Sequence, residues 1–309
     1  MLDPLVVAAA VGVVGSVTAG PAVAYGLDFL PLQWRKSMAW SLVAGALLAA
    51  ILADVIFAGP VGGAFVYALA ALPGVVAFLA FRTILASLFV SLLPFYLVIG
   101  ELTRGQAAHA PAIAVDRMVP LQPEWMLAYG SLYVFISCLP ALVVRQADLF
   151  RRATQAYLAV MIVSYLGFLL YPTVAPRPER IVASGFAAWS LRGLYDIDPP
   201  HGCFPSLHVA YSFVSALTCY RVHRGVGIAA AMWAALIGVS TVFVKQHYAI
   251  DVVAGVLLAW AAYVIFLRRF PRQEVREADL RRAPRRAVGI IPIYVVVVAG
   301  FWVAYLLDW

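Results

Sequence analysis

The feature that most constrains this chain is a series of apolar runs, each 17 to 23 residues long, that recurs along its length. A helix of about 20 apolar residues crosses the hydrocarbon core of a bilayer. The mean hydropathy is +0.92 and only 12% of the residues are charged, which excludes a water-soluble globular domain. The sequence therefore predicts an all-α, polytopic helical membrane protein.

Hydropathy predicts ten membrane spans. The chain starts "MLDPLVV" without a basic leader, so we interpret the first run as a retained span and not a signal peptide. The predicted spans are 5–27, 37–58, 62–80, 84–101, 124–144, 154–171, 206–222, 226–245, 248–267 and 287–307.

The basic residues are distributed unevenly between the loops. Of the 22 Lys and Arg, sixteen fall in one alternate set of loops and six in the other. Because cytoplasmic loops are enriched in Lys and Arg, the first set is predicted to face the cytoplasm, and both termini the opposite side. The net charge of +7 then reflects topology and lipid headgroups, so we expect no nucleic-acid partner. The basic segment 268–286 is predicted to anchor the topology and contact anionic lipid.

Three segments on the predicted non-cytoplasmic side carry most of the unusual polar residues. They are "YPTVAPRPER" after the sixth span, "HGCFPSLHVAYS" at the start of the seventh, and "STVFVKQHYAIDVVAG" between the eighth and ninth. This coincidence survives when the two cations inside the segments, Arg177 and Lys245, are left out of the charge count. One membrane face is therefore predicted to hold a site.

The third segment pairs a histidine with a carboxylate. His247 and Asp251 are four residues apart, so on a helix both side chains lie on one face, about 6 Å apart. The carboxylate can accept the proton of one imidazole nitrogen and leave the other nitrogen as a nucleophile or base. The alternative is a polar pair that ties two helices together. Lys245, two residues earlier, is either part of the site or a lysine that reaches to the membrane interface.

The second segment predicts a helix start that binds an anion. Ser206 is a good N-cap after Pro205, and the free N–H groups of the first turn attract anions. His208 in that turn can donate a proton to a leaving oxygen, or can simply face the interface. In the first segment, Arg177 between two prolines offers a planar fork of donors that suits phosphate.

Together these residues suit in-line transfer of a phosphoryl group through a histidine intermediate. Because no Cys or Asp/Glu cluster has the spacing of a metal site, we expect neither a metal nor another cofactor.

The three motifs resemble those of the type 2 phosphatidic acid phosphatase superfamily. The shared order is Arg-Pro, then Pro-Ser-x-His, then Ser followed seven residues later by His and eleven later by Asp. "FPSLHVA", "KQHYAIDVVAG" and "VDRMVPLQPEWMLAYGSLYVF" are more similar to the inositol phosphorylceramide synthase branch. The resemblance implies His247 as nucleophile, Asp251 as its orienting partner and His208 as the acid. Arg177 and Ser206 would bind the phosphate.

The resemblance also implies a domain organisation. The residues up to 81 would form extra transmembrane helices, residues 82–270 a six-helix catalytic core, and residues 271–309 a basic loop and a final span.

Three positions depart from the family's phosphatase pattern. Leu170 stands where a Lys is expected, Leu207 where Gly is usual, and Thr241 where an Arg is expected. Lys245 is the predicted replacement for one of the two missing cations, which makes it a phosphate-binding residue. The departures favour the synthase-like branch.

The sequence thus predicts an integral membrane lipid phosphotransferase whose site faces the outer or lumenal leaflet. Its substrate would be a membrane lipid with a phosphate-containing headgroup, and its acceptor a hydroxyl group. If water is the acceptor, the enzyme is a lipid phosphate phosphatase. A transporter is a further alternative, although a transporter site normally lies near the midplane. The loop 173–205 is predicted to carry an interfacial helix marked by Val182, Phe186 and Trp189. The sequence leaves the oligomeric state open.

Overall fold

The structure is a computed structural model that describes residues 96, 99–100, 103, 106–198 and 200–307. Almost all of these residues lie in one compact unit, Ile99–Trp309. The predicted spans 5–27, 37–58 and 62–80, and most of 84–101, lie outside the described residues.

The described residues form helices and contain no named strand. Two isolated β-bridges pair His109 with Thr173 and Val174 with His201. The helices are α1 (Ala114–Met118), α2 (Met126–Val143), α3 (Ala147–Leu170), α4 (Phe186–Ile197), α5 (Leu207–Val222), α6 (Arg224–Phe243), α7 (Ala249–Ala262), α8 (Glu277–Val288) and α9 (Ile290–Leu306).

A helix stands at each of the six spans predicted within 106–307. Five helical segments of the described residues are long and apolar enough to cross a membrane. They are Pro123–Val143, Ala147–Leu170, Arg224–Phe243, Ala249–Leu267 and Glu277–Leu306. The segment Ala249–Leu267 consists of α7 and the π-helical turn Tyr263–Leu267 that follows it.

Helix α5 is the centre of the unit. Although it has only 16 residues, it packs against α2, α3, α6 and α7, and most of its side chains are buried. Two of its hydroxyl groups are satisfied within the helix: Ser212 Oγ donates to the carbonyl of His208, and Thr218 Oγ1 to that of Val214. A third, Ser215 Oγ, shares a hydrogen bond with the Tyr157 hydroxyl of α3. Small residues and internally bonded hydroxyls allow close helix packing in an apolar environment.

Helix α9 shows why the unit needs a bilayer. It is apolar all round, and none of its residues is buried by the protein. A helix that is hydrophobic on every face and has no buried residue is stable only against lipid. This surface and the other long apolar helices indicate an integral membrane protein.

Two predicted boundaries are wrong. Helix α3 begins at Ala147, seven residues before the predicted start at 154, because Asp148 pairs with Arg151 and Arg152 at 2.5 and 2.6 Å within the first turns. The predicted interfacial helix begins at Phe186, so Val182 lies outside it and is 94% exposed.

The basic segment 268–286 was predicted as a loop, but its second half is helix α8. Arg281 pairs with Glu277 at 2.5 Å and Arg286 with Asp279 at 3.0 Å. Asp279 also accepts a hydrogen bond of 3.3 Å from Gln146 Nε2, which joins α8 to the start of α3. These ion pairs stabilise α8, although the charged residues of this segment are typical of a loop between spans.

The start of α5 is held in place by a close approach of α7. A Cβ atom at Gly255 would lie 2.6 Å from the carbonyl oxygen of Ser206 and 3.1 Å from Cβ of Val209. Only glycine allows the two backbones to meet at this separation.

We expect Gly255→Ala to destabilise the protein by ~1–3 kcal/mol, because the backbone at Ser206 has to shift. Gly130→Ala on α2 is the matched control, since its Cβ meets nothing within 4 Å. Thermal unfolding in detergent should show a lower midpoint for the first variant and an unchanged or higher one for the second. Equal midpoints would contradict the close packing of α7 on the start of α5.

Candidate active site

The structure brings the three predicted polar segments together. Nδ1 of His208 lies 3.0 Å from Nε2 of His247, which joins the second segment to the third. Nη2 of Arg177 donates to Oε1 of Gln246 at 2.6 Å, which joins the first segment to the third. Residues up to 70 positions apart in the chain thus converge at one end of the helices.

The helix start at Ser206 has the predicted cap. Ser206 Oγ accepts a hydrogen bond of 3.3 Å from Val209 N–H. The first two N–H groups of α5, at Leu207 and His208, have no acceptor within the helix. Thr173 Oγ1 accepts from the N–H groups of Cys203 and Phe204 at 2.8 and 3.1 Å, and so fixes the loop that leads into the cap.

A backbone hydrogen bond ties the start of α5 to the first turn of α7. Ser206 N–H donates to the carbonyl of Asp251 at 3.1 Å. This hydrogen bond holds the backbone two residues before His208 close to the backbone four residues after His247.

His247 and Asp251 lie close together, as their spacing predicts, but they do not share a helix face. Only Asp251 lies in α7, and His247 precedes the N-cap residue Tyr248. His247 Nδ1 is 3.4 Å from Asp251 Oδ2, and the two residues are 4% and 0% exposed. The same Oδ2 accepts from Tyr248 N–H at 2.9 Å. A distance of 3.4 Å exceeds that of a normal hydrogen bond, and catalytic pairs of this kind often shorten when substrate binds.

The proton positions in the histidine pair follow from the carboxylate. With Asp251 beside Nδ1 of His247, the favoured tautomer places a proton on Nδ1 and a lone pair on Nε2. His208 Nδ1–H then donates to that lone pair. The edge of the Tyr129 ring packs against His208, with ring centroids 5.6 Å apart, and limits the rotation of its imidazole.

Arg177 is positioned by protein acceptors. Nη1 donates to the carbonyls of Asp198 and Tyr195 at 2.8 and 3.3 Å, and Nη2 to Asp198 Oδ2 at 3.3 Å in addition to Gln246. The guanidinium also stacks on the Tyr195 ring at 4.6 Å. The cation is therefore fixed at the site edge by helix α4 and by Gln246.

Lys245 contacts a different part of the chain. Nζ donates to the carbonyls of Asp116 and Val119 at 3.2 and 2.5 Å, which uses two of its three N–H donors. Its φ of 54° lies in the left-handed region, which is uncommon for a residue with a side chain. Burial lowers the pKa of the Lys245 ammonium, and the nearby Asp116 carboxylate opposes that shift.

Asp116 completes the support of the turn that carries His247. Its Oδ1 accepts from Ala249 N–H at 2.7 Å at the start of α7, and its Oδ2 accepts from Ile113 N–H at 2.8 Å. The carboxylate is buried, so both oxygens satisfy N–H groups that have left water.

Sequence reasoning missed Asp116, Asp198, Gln246 and Tyr129 as site residues. Their signal was weak: Gln246 stands inside a motif but is not an ionisable residue, and the others lie outside the three segments. Asp116 could have been found as the lone acid in "VDRMVP", a stretch already noted for its resemblance to a family segment.

The positions of the two missing cations differ in environment. Leu170 is 81% exposed at the last residue of α3. Thr241 is buried, and its Oγ1 donates back to the carbonyl of Gly238 at 2.7 Å. The Thr241 carbonyl accepts from the N–H groups of Gln246 and His247 at 2.9 and 3.2 Å, so this residue shapes the turn through its backbone.

Comparison with known proteins agrees with the resemblance. Residues 115–265 match the family described as the PAP2 superfamily, the type 2 phosphatidic acid phosphatases. A PA-phosphatase related-family protein of Dictyostelium discoideum is 29% identical over 99 residues, which cover 28% of this chain and 18% of the relative. No solved structure matches the chain. The matches support a phosphatase- or phosphotransferase-type enzyme of this superfamily, and the synthase branch stays a prediction.

We expect Asp116→Ala to loosen the turn that carries His247, because it leaves the N–H groups of Ile113 and Ala249 unpaired at a cost of ~1–3 kcal/mol. Hydrogen–deuterium exchange of residues 244–252 should become faster. Asp148→Ala is the control, since Asp148 pairs only with arginine side chains at the partly exposed start of α3. Unchanged exchange in Asp116→Ala would rule out this support.

Proposed function

We propose that this chain is an integral membrane lipid phosphotransferase that moves a phosphate-containing headgroup through a covalent histidine intermediate. The observation that carries the proposal is the row Asp251, His247, His208, in which a carboxylate, a nucleophilic nitrogen and a proton donor follow one another at 3.4 and 3.0 Å. The order is the one that nucleophilic catalysis requires: an orienting group, a nucleophile and an acid.

In the first step, the lone pair on Nε2 of His247 attacks the phosphorus atom. A P–N bond forms and the P–O bond to the leaving group breaks. His208 enters this step protonated on both ring nitrogens, beside the phosphate anion. It turns from Nε2 of His247 towards the leaving oxygen and gives it the Nδ1 proton, so His208 becomes neutral and the leaving group departs as a neutral alcohol. Asp251 stabilises the positive charge that develops on the His247 ring.

In the second step, an acceptor hydroxyl attacks the same phosphorus atom. The P–N bond breaks, a new P–O bond forms, and the acceptor proton passes to His208. Both histidines then return to their starting protonation states. A lipid or polyol hydroxyl makes the reaction a transfer, and water makes it a hydrolysis.

The phosphate would lie at the start of α5. The free N–H groups of Leu207 and His208 and the positive end of the helix dipole favour an anion there. We assign Ser206 and Arg177 to phosphate binding, Arg177 through its charge because its four terminal N–H groups have protein acceptors. We also assign Lys245, whose third N–H donor is not used by the 116–119 carbonyls.

The lipid would reach the site beside helix α4. Phe186 and Trp189 on this helix contact Trp302 and Tyr305 of α9, with ring centroids 4.8 to 5.8 Å apart. At the other end of α4, the Tyr195 hydroxyl donates to the carbonyl of Val244 at 2.7 Å, just before the catalytic turn. An aromatic, amphipathic helix that connects the membrane interface to the site suits entry of a lipid headgroup from the outer or lumenal leaflet.

Hydrolysis is the second candidate function, because the matched relative is named as PA-phosphatase related. Purified protein incubated with phospholipid labelled in its phosphate, with and without alcohol acceptors, separates the two. Transfer predicts a labelled product that contains the acceptor. Free phosphate as the sole product would contradict transfer and leave a phosphatase.

We expect His247→Ala and His208→Ala to abolish turnover of the labelled lipid, because one removes the nucleophile and the other the proton donor. His223→Asn is the control: His223 caps α6 through a 3.2 Å hydrogen bond from Val226 N–H, and Asn can replace that cap. Full turnover by either site variant would exclude the histidine mechanism.

Lys245→Ala tests whether Lys245 stabilises phosphate. Loss of one electrostatic donor predicts a fall in kcat on the order of 10²- to 10³-fold, with activity remaining. Lys245→Arg should keep much of the activity, because it retains the charge and donors for the 116–119 carbonyls. A rate for Lys245→Ala equal to that of the unchanged protein would show that Lys245 does not replace the missing cations.

A further inference from the structure

Gln246 carries a buried amide group next to His247 in the chain. This amide has no role in the proposed mechanism. It is 3% exposed and precedes His247 directly. Its backbone N–H donates to the Thr241 carbonyl at 2.9 Å, so its position is fixed by the same turn that fixes the histidine.

The orientation of the amide group follows from its partner. Arg177 has only donors, so the amide atom 2.6 Å from Nη2 must be the oxygen. The amide nitrogen, which shares a carbon with that oxygen, therefore lies beside the guanidinium and turns its two N–H groups away from it.

Those N–H groups have no acceptor among the described residues. Nε2 of Gln246 is buried and makes no hydrogen bond to the protein. A buried donor without an acceptor is destabilising, and native proteins keep such groups chiefly where a ligand or bound water completes them. The immediate neighbour in the chain is the group proposed to attack phosphorus.

We propose that Gln246 Nε2 donates a hydrogen bond to a non-bridging oxygen of the phosphoryl group attacked by His247. The ligand class is a phosphate monoester or diester anion. This inference rests on the proposed function and adds a residue to its binding site. It also gives Arg177 a second role, because the guanidinium fixes the amide so that the amide nitrogen faces the substrate.

The missing motif cations explain why such a donor is needed. Leu170 and Thr241 stand at positions where cations are expected, and neither side chain can donate to a phosphate from its observed place: one is apolar, and the other donates to Gly238. The four terminal N–H groups of Arg177 already have protein acceptors. An uncharged donor held by Arg177 compensates in part for the missing charge.

Orthovanadate is the probe, because it adopts the five-coordinate geometry of phosphoryl transfer. We would measure its inhibition constant and kcat/KM on labelled lipid for the full chain and two variants. Gln246→Glu keeps an oxygen for Arg177 but replaces the donor by an acceptor. Gln246→Met removes the donor without adding charge. Gln122→Glu is the matched control, since Gln122 Oε1 likewise accepts a hydrogen bond, from Trp125 Nε1 at 2.8 Å, and is not part of the proposed phosphate site.

Both Gln246 variants should lose vanadate affinity and kcat/KM by similar factors, on the order of 10²-fold for one preorganised donor. Gln122→Glu should change both by less than about 3-fold, because Gln122 is half-buried and does not contact the substrate in our proposal. Thermal unfolding midpoints show which variants fold. If Gln246→Glu does not fold, Gln246→Met alone decides the outcome.

The results separate failure of this inference from failure of the proposed function. If the unchanged protein turns over lipid and vanadate binds both Gln246 variants as tightly as it binds the unchanged protein, Gln246 does not contact the phosphoryl group. Unchanged vanadate affinity is also expected if the amide nitrogen donates only to bound water, and that outcome overturns the inference. If the unchanged protein neither turns over lipid nor is stabilised by vanadate, the proposed function itself is wrong, and the inference falls with it.

Discussion

The site depends on the satisfaction of backbone polar groups in the buried turn between α6 and α7. In an apolar environment each unpaired N–H or carbonyl group destabilises the fold, so the chain can leave helical geometry only where other groups replace the lost hydrogen bonds. Here the Thr241 carbonyl accepts two N–H groups from within the turn, and Asp116 accepts the N–H of Ala249 from outside it. The result is a rigid, irregular turn that presents His247.

That rigidity is what makes the histidine pair chemically useful. The start of α5 is tied to the first turn of α7 by the hydrogen bond from Ser206 N–H to the Asp251 carbonyl, and Gly255 lets the helices approach closely enough to form it. The backbone segments that carry His208 and His247 are thereby held close together, and their imidazoles are 3.0 Å apart. Pre-set geometry of this kind reduces the reorganisation that a phosphoryl transfer requires.

The parts of the site that the sequence predicted are those set by local spacing. The N-cap at Ser206 follows from the residue type before an apolar run, and the proximity of His247 and Asp251 follows from their four-residue spacing. Their predicted shared helix face was wrong, because α7 begins only after His247. The helices at 206–222 and 226–245 follow from continuous apolar runs. The predicted start of α3 at 154 is too late, because Asp148 forms ion pairs with Arg151 and Arg152 that stabilise a helix in this charged stretch.

The parts that sequence could not predict arise from contacts between distant segments. The partners of Arg177, the carboxylate of Asp116 at the start of α7 and the amide of Gln246 are defined only once the chain has folded, since the residues lie up to 133 positions apart. Lys245 shows the same limit. Its spacing from His247 predicted a phosphate ligand but gave no sign that its ammonium also donates to the carbonyls of Asp116 and Val119.

The most direct test of the central claim, covalent catalysis by His247, is to trap the intermediate. The protein would be mixed with substrate labelled in its phosphorus, quenched in alkali within one turnover, and digested for mass spectrometry. Our account predicts an acid-labile, alkali-stable phosphoryl group on His247 that is absent from His247→Ala. Turnover by the unchanged protein with the label on another residue, or with no labelled protein at any time within the turnover, would contradict it.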